Sequence, residues 1–300
     1  MYRIMPHSGG INFVHHYGCS NNSSSSSSST NNNNNNHFDM HDVFQTTDFW
    51  AERIHEEWKT LEENLPEGIY VRVYESRIDL LRAVIVGAKG TPYQDGLFFF
   101  DVFFPRYFPI HPPIVRYHSG GFSINPLMFE CGEVRLTRKL WPSHVATMLE
   151  FLVSIRDQVL NADPLSHEPG FLDHGPSEVA YYFSLLYNED IRIKSLKSMI
   201  KIVNKPPKVN FEAFVVGHFR NHMADILMSC QAYMKGLQVG GNTEGCCSMA
   251  FRDKVEICMF KLIFRFIEIG ATEAYAFIPP RKSTHVSHVP AYKRHLCYKE

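Results

Sequence analysis

The chain has 300 residues, 44% of them hydrophobic, and a formal net charge of −1 at pH 7. This length allows one substantial hydrophobic core with extensions, or two small domains. The near-neutral charge provides no field that would steer the protein to nucleic acid or to anionic lipid. The expected partners are therefore other proteins, with no nucleic acid among them.

Targeting signals and cofactor motifs are not apparent in the sequence. Residues 1–20 contain no apolar run behind a basic start, and no later stretch is long enough to span a bilayer. We therefore expect no membrane insertion and a cytoplasmic and/or nuclear location. The seven cysteines are scattered, which favours reduced thiols. Because there is no CxxC pair, and because His111, His118 and His144 have no second ligand at zinc-finger spacing beside them, neither a metal site nor another cofactor is predicted.

Composition and periodicity divide the chain into four segments. Residues 21–36 are Ser and Asn with one Thr, a composition that cannot bury apolar surface. Residues 1–45 are therefore predicted to be a disordered N-terminal segment. Residues 46–172 are predicted to form a core domain, residues 173–275 a helical extension and residues 276–300 a flexible tail.

The core is predicted to start with a helix near Thr46, because Thr46-Thr47-Asp48 can cap a helix start. Five apolar residues then share one helical face: Trp50, Ile54, Trp58, Leu61 and Leu65. A period of two over residues 69–116 predicts four antiparallel strands, with a tight turn at Asp95-Gly96.

Helices dominate the rest of the predicted structure. Apolar residues at helical spacing predict a helix over about residues 143–160 that covers one face of the sheet. Three more helices are predicted, over residues 176–203, 211–237 and 251–269, and Pro206-Pro207 separates the first two of them.

Several short motifs accompany this order of elements: Lys89-Gly90-Thr91-Pro92-Tyr93, Phe108-Pro109, Pro112-Pro113, Asn125-Pro126-Leu127, Gly132-Glu133-Val134, Trp141 and Asp163-Pro164-Leu165. Over about residues 50–171 these motifs resemble those of the ubiquitin-conjugating (UBC) core family. The resemblance implies an α+β UBC fold with an N-terminal helix, a four-stranded antiparallel meander and C-terminal helices. Later motifs, including Tyr187-Asn188-Glu189-Asp190 and His218-Phe219-Arg220, resemble the helical C-terminal extension of the large plant ubiquitin-conjugating enzymes of the phosphate-homeostasis type.

The resemblance implies a thioester-forming Cys and an oxyanion-stabilising Asn, and both are replaced in this chain. Registering Pro126 and Gly132 with the family pattern places Arg135 at the nucleophile position and Leu127 at the Asn position. A protonated guanidinium cannot form a thioester, and loss of an oxyanion donor alone costs about 100-fold to 1000-fold in rate. No catalytic residue is therefore expected. The predicted function is an inactive ubiquitin-pathway protein that binds ubiquitin, a conjugating enzyme or a ligase.

Other interpretations of these positions stay open. Cys131 is a weak candidate for a substitute nucleophile, although the carboxylates of Glu130 and Glu133 on either side disfavour its thiolate. Asp163 resembles the acidic residue that the family keeps beside the incoming lysine, but without a thioester to act on, a turn at a helix end is the favoured explanation. Arg135 either pairs with an acidic group such as Asp163 or is tolerated at an exposed site. A degenerate protein with no retained binding is a further interpretation.

The resemblance also implies a surface that docks a ligase. Ile110 keeps the hydrophobic residue that the family uses there, whereas Pro142-Ser143-His144 departs from the family's second docking loop. The polar face of the first helix offers Glu56 and Lys59, together with Glu52, Arg53 and Glu57, either as partner contacts or as a solvated face. Ile110, Pro142, Glu56 and Lys59 are the predicted partner-binding residues.

Overall fold

The computed structural model describes residues 4–6, 40–74, 76–135, 141, 147–168, 170–171, 177–207, 211–240 and 247–278. The elements in chain order are β1 (Ile4–Pro6), α1 (Met40–Asn64), β2 (Ile69–Val73), β3 (Leu80–Val86), β4 (Leu97–Phe103), β5 (Ile114–Tyr117), α2 (Met148–Ser154), α3 (Glu178–Asn204), α4 (Glu212–Met234) and α5 (Met249–Glu268). A π-helical turn (Ile155–Val159) extends α2, and 3-10 turns lie at Pro164–His167 and Thr272–Phe277. Most of the predicted N-terminal segment and tail lies outside the described residues.

The strands form a single five-stranded sheet in chain order. Strands β2 to β5 pair antiparallel with their neighbours, which confirms the predicted four-stranded meander. Strand β1 adds a short parallel edge beside β2. A long helix, this sheet and then helices make up the α+β architecture that the resemblance implied, with a helical C-terminal extension.

One face of the sheet packs against α1 and α2. Ile54 and Leu61 of α1 and Phe151 of α2 are fully buried in a cluster with sheet residues such as Val71 and Phe100. Burial of each large apolar side chain contributes roughly 1.5–3 kcal/mol. This first core holds the sheet and the two helices together.

The opposite face of the sheet packs against α3, α4 and α5. Val84, Leu97 and Phe99 of β3 and β4 belong to a second buried cluster with helix residues that include Phe219 and Phe266. The aromatic ring of Phe99 meets that of Phe211 edge to face, with centroids 5.5 Å apart. Both faces of the sheet are therefore covered.

Two predicted helix starts are wrong. Helix α1 begins at Met40 and not near Thr46, because Met40, Val43 and Phe44 continue the spacing of three and four. Helix α2 begins at Met148 and not near residue 143. Its N-cap, Thr147, has an extended backbone and forms a capping box with Glu150.

Two side chains lie in places that the sequence did not predict. Glu57, assigned to the polar face of the first helix, is only 1% exposed. Phe277, assigned to the flexible tail, packs against the second cluster at the end of the last 3-10 turn. Glu57 is buried by an element distant in the sequence, which periodicity does not show, and Phe277 is partly buried.

Candidate functional site

The segment after β5 carries Leu127 and Arg135 and folds as a tight hairpin. Met128 bridges Val134, and the backbone N–H of Phe129 donates to the carbonyl oxygen of Glu133 at 2.9 Å. The N–H of Gly132 closes the turn on the carbonyl of Phe129 at 2.9 Å. Arg135 therefore leaves the hairpin directly beside its entry.

Gly132 fixes this hairpin against the sheet. Its φ of +87° lies in the left-handed region, and a Cβ at this position would lie 2.6 Å from the carbonyl oxygen of Tyr117. The N–H of Tyr117 donates to the Gly132 carbonyl at 2.7 Å. Only glycine meets both conditions, so the register between Gly132 and Arg135 is set by the backbone.

Asn125 anchors the start of the segment in the first core. It is fully buried, and its Nδ2 donates to the carbonyl of Val159 at 2.9 Å. Its Oδ1 accepts the backbone N–H of Leu127 at 2.9 Å. The buried hydroxyl of Tyr93 donates to the carbonyl of Ile124 at 2.8 Å, and burial raises the pKa of Tyr93 above its ordinary value, so this hydroxyl stays a donor.

Leu127, which the resemblance predicts at the oxyanion position, has an apolar and buried side chain. It is 6% exposed and belongs to the first core cluster. Its N–H is bonded to Asn125, and its carbonyl accepts the N–H of Arg135 at 2.8 Å. The Leu127 side chain therefore has no donor to offer an oxyanion, and the backbone N–H groups of Leu127 and Arg135 are already bonded within the segment.

Arg135, which the resemblance predicts at the nucleophile position, is exposed. Its guanidinium carbon lies 5.0 Å from the centroid of the Phe129 ring, a cation–π contact within the same hairpin. Within the described part of the chain, no carboxylate lies within 4.0 Å of its guanidinium nitrogens. The described residues therefore show Arg135 resting on an aromatic ring and not paired with Asp163.

Asp163 makes the hydrogen bonds of a turn at a helix start. Its carbonyl accepts the hydroxyl of Ser166 at 2.6 Å, and its own N–H donates to Asn161 Oδ1 at 2.9 Å. The carboxylate accepts the hydroxyl of Ser184 on α3 at 2.6 Å. Asp163 thus ties the core to the first turns of the extension.

Cys131 lies at the third position of the hairpin turn and is exposed. The other cysteines of the described residues, Cys230, Cys247 and Cys258, are buried. Burial raises the pKa of the Cys230 thiol to about 12 and also raises that of Cys258. Among the described thiols, Cys131 alone is both accessible and close in sequence to Arg135.

The predicted ligase-docking residues are exposed where the structure describes them. Ile110 is 66% exposed just after the cis peptide bond between Phe108 and Pro109. Lys59 and Glu56 are exposed on α1, and Glu56 pairs with Arg53. Pro142 lies outside the described residues.

Glu57, which sequence analysis placed on the surface, instead links α1 to α2. Its carboxylate accepts the N–H of Met148 at 2.8 Å and a guanidinium N–H of Arg53 at 2.7 Å. Burial raises the pKa of this carboxyl, and the contacts with Met148 and Arg53 oppose the rise. A free N–H at the start of α2 thus receives its acceptor from another helix.

Neither a metal cluster nor a membrane helix is found in the described part of the chain. No group of three or more His, Cys, Asp or Glu side chains there is placed to hold a metal ion. None of the helices in these residues is long and apolar enough to cross a membrane.

Comparisons with known proteins agree with the geometry. Residues 53–169 match the family model described as ubiquitin-conjugating enzyme. A putative ubiquitin-conjugating enzyme E2 38 of Arabidopsis thaliana is 40% identical over 243 residues, covering 75% of this chain and 74% of that protein. The putative E2 39 of the same plant is 42% identical over 239 residues, covering 74% and 72%.

A longer relative is similar over the same part of the chain. The probable ubiquitin-conjugating enzyme E2 25 of Arabidopsis thaliana is 44% identical over 241 residues, which is 74% of this chain but 39% of that protein. The family-model match ends at residue 169. An alignment over 74% of the chain is longer than residues 1–169, so it includes part of the chain beyond residue 169. The chain therefore belongs to the ubiquitin-conjugating enzyme family.

Proposed function

We propose that this protein is a catalytically inactive member of its family that acts by binding ubiquitin, a conjugating enzyme or a ligase. The observation that carries the proposal is Arg135, exposed at the nucleophile position with its guanidinium on the ring of Phe129. A thiolate must attack the incoming thioester for ubiquitin to be transferred. The guanidinium is protonated at physiological pH and forms no such bond.

The oxyanion position supports the same proposal. Discharge onto an amine passes through an oxyanion that needs a hydrogen-bond donor. Leu127 has no side-chain donor, and its backbone N–H is bonded to Asn125. The replacements at Leu127 and Arg135 remove two separate parts of one mechanism.

Binding remains compatible with the surfaces that are left exposed. The sheet face opposite α1 is covered by α3 to α5, so it offers no flat surface to a partner. Ile110 is exposed, and so is Tyr107 nearby, at 57%. Ile110 stands where the resemblance predicts the hydrophobic residue that docks a ligase, which favours this end of the molecule for a ligase.

A thioester-charging gel tests the absence of transfer. The protein is incubated with activating enzyme, ATP and ubiquitin and run without reductant, beside an active conjugating enzyme as a positive control. We expect no thiol-sensitive adduct on the wild type. The Arg135→Cys and Arg135→Cys/Leu127→Asn variants show whether the scaffold still accepts ubiquitin once the missing groups return.

The second candidate function is transfer through Cys131, and one observation favours it: this thiol is exposed, whereas the other described thiols are buried. The same gel with Cys131→Ser separates the two. A reducible adduct on the wild type contradicts the inactive assignment. Its loss in Cys131→Ser would then assign the chemistry to this thiol.

The binding half of the proposal has its own measurement. Isotope-labelled ubiquitin and purified ligase domains are titrated with the full chain, and we expect saturable binding to at least one of them. Ile110→Ala should weaken ligase binding, while Met228→Ala, which removes an apolar side chain 50% exposed on α4, serves as the matched control. If the protein bound neither ubiquitin nor a conjugating enzyme nor a ligase, the remaining interpretation would be a degenerate protein with no retained binding.

A further inference from the structure

A groove on the outer side of the extension, between α3 and α5, combines apolar and basic side chains. It has a volume of about 330 Å³ and is lined by Lys197, Ile200, Lys254, Ile257, Cys258 and Lys261. Ile257 is 56% exposed, and Cys258 is buried at the base. Three cations thus surround a concave apolar surface.

None of the three lysines of this basic groove is in an ion pair with a described carboxylate. The lysine ion pairs of the described residues join Lys89 to Asp225 and Lys194 to Asp190. Lys197, Lys254 and Lys261 are exposed. Their charge is therefore concentrated locally on a molecule whose formal net charge is only −1.

The basic groove continues along α5 as a regular stripe. Lys254, Ile257, Lys261 and Phe264 follow one another at spacings of three, four and three, so they lie on one helical face. Phe264 is 59% exposed. At 1.5 Å per residue the stripe is about 15 Å long, the length of two to three helical turns.

We propose that the basic groove binds an acidic amphipathic peptide segment of another protein. Apolar side chains of the segment would pack on Ile200 and Ile257, and its carboxylates would pair with Lys197, Lys254 and Lys261. Helix-in-groove recognition uses apolar anchors at this spacing, and charge complementarity supplies orientation and a fast encounter.

The charge pattern of α5 favours a peptide over an anionic membrane. Asp253, Glu256 and Glu268 are exposed on the same helix, beside the stripe. A flat anionic bilayer would approach these carboxylates together with the lysines, whereas a narrow peptide in the groove contacts the lysines alone. The site is also separate from the proposed ubiquitin-pathway function, because α5 packs in the second core cluster and Leu127 in the first.

Peptide selection on the purified full chain tests the proposal. A displayed library of random short peptides is selected on the wild type, with counter-selection on the Lys254→Glu/Lys261→Glu variant. We expect enriched peptides to carry Asp and Glu around apolar residues spaced by three and four. Enrichment without an acidic bias, or no enrichment at all, would overturn the proposal.

A synthetic labelled copy of the most enriched peptide then gives dissociation constants by fluorescence anisotropy. We expect Lys254→Glu/Lys261→Glu to weaken binding by at least about tenfold, because two attractive pairs become repulsive. Ile257→Ser should weaken it without any change of charge. The matched control is Lys89→Glu/Arg106→Glu, which reverses two exposed charges that do not line the groove and should leave binding unchanged.

Folding does not confound these variants, since each substituted side chain is exposed, and thermal unfolding by circular dichroism checks this point. Equal affinity of the wild type and of the groove variants would contradict the assignment. Cosedimentation with phosphatidylserine vesicles is measured in parallel. If vesicles bound in a way that depends on Lys254 and Lys261 and acidic peptides did not bind, the partner of the groove would be a membrane. That result would overturn the proposal.

Discussion

Asn125 bonds the start of the hairpin that carries Leu127 and Arg135 to the first core. Its side chain bonds the backbone of Val159 and of Leu127 while fully buried. Asn125→Ala leaves a buried carbonyl and a buried N–H without these partners, and each such loss costs about 1–3 kcal/mol. We expect the free energy of unfolding to fall by at least about 2 kcal/mol, measured by urea denaturation with the slope held in common.

The control for Asn125 is Asn64, whose side chain also bonds a backbone carbonyl but is exposed on α1. Asn64→Ala should change the free energy of unfolding by less than about 0.5 kcal/mol. A similar small effect of Asn125→Ala would mean that water replaces its bonds. The hairpin would then not depend on this residue.

At the scale of elements, α4 is joined to the β3–β4 turn by a buried histidine. His218 Nε2 donates to the carbonyl oxygen of Asp95 at 3.0 Å. Burial lowers the pKa of His218 from 6.5 to about 4, with the nearby His222 acting in the same direction. The folded state therefore favours the neutral ring, and the unfolded chain binds the proton first as pH falls.

The resulting pH dependence has a definite sign and window. The contribution of His218 to the free energy of unfolding is fully present above pH 6.5 and decreases as the pH drops below that value. It is fully lost below about pH 4. At pH 4 the wild type should have lost about 3 kcal/mol relative to pH 7 through His218. His218→Gln should remove this part of the pH dependence, measured by urea denaturation at each pH.

A matched variant separates His218 from the other groups that titrate in this range. His55 is exposed on α1, and His55→Gln should keep the full pH dependence of the wild type. Equal slopes for the wild type and for His218→Gln between pH 6.5 and 4 would contradict a neutral buried ring. The link between α4 and the turn would then not be sensitive to pH.

The contact between Glu57 and Met148 shows why part of the structure could not be predicted from the sequence. Motif spacing around Pro126 and Gly132 assigns Arg135 and Leu127 to the nucleophile and oxyanion positions of the family, and this assignment stays a prediction. The acceptor role of Glu57 could not be predicted, because its hydrogen bond from Met148 joins residues 91 apart in the chain. A carboxylate among polar helix residues has the same local pattern whether it is solvated or caps another helix.

At the scale of the whole molecule, one sequence pattern indicates that the second face of the sheet is covered, although the fold prediction did not include it. Residues 80–85 of β3 are all buried, and a near-continuous apolar strand is typical of a sheet covered on both sides. Period-two patterning predicted the strands correctly but did not show that the extension packs on them. Core and extension therefore share a sheet, with one hydrophobic cluster on each face.

This shared sheet predicts that core and extension unfold together. All three tryptophans, Trp50, Trp58 and Trp141, lie in or against the first cluster, so their fluorescence reports the core. The far-ultraviolet circular dichroism of the described residues comes mainly from α3, α4 and α5. We expect the two signals to give coincident urea transitions, since losing either cluster exposes one face of the same strands.

A conservative substitution in the extension makes this expectation sharper. Ile226 is fully buried in the second cluster, and Ile226→Val should lower stability by about 1 kcal/mol through loss of one methylene. Because the transition is shared, the fluorescence midpoint, which reports tryptophans on the other side of the sheet, should shift as far as the circular dichroism midpoint. A shift of the circular dichroism signal alone would mean that the extension unfolds independently and that the core sheet keeps its fold with one face exposed.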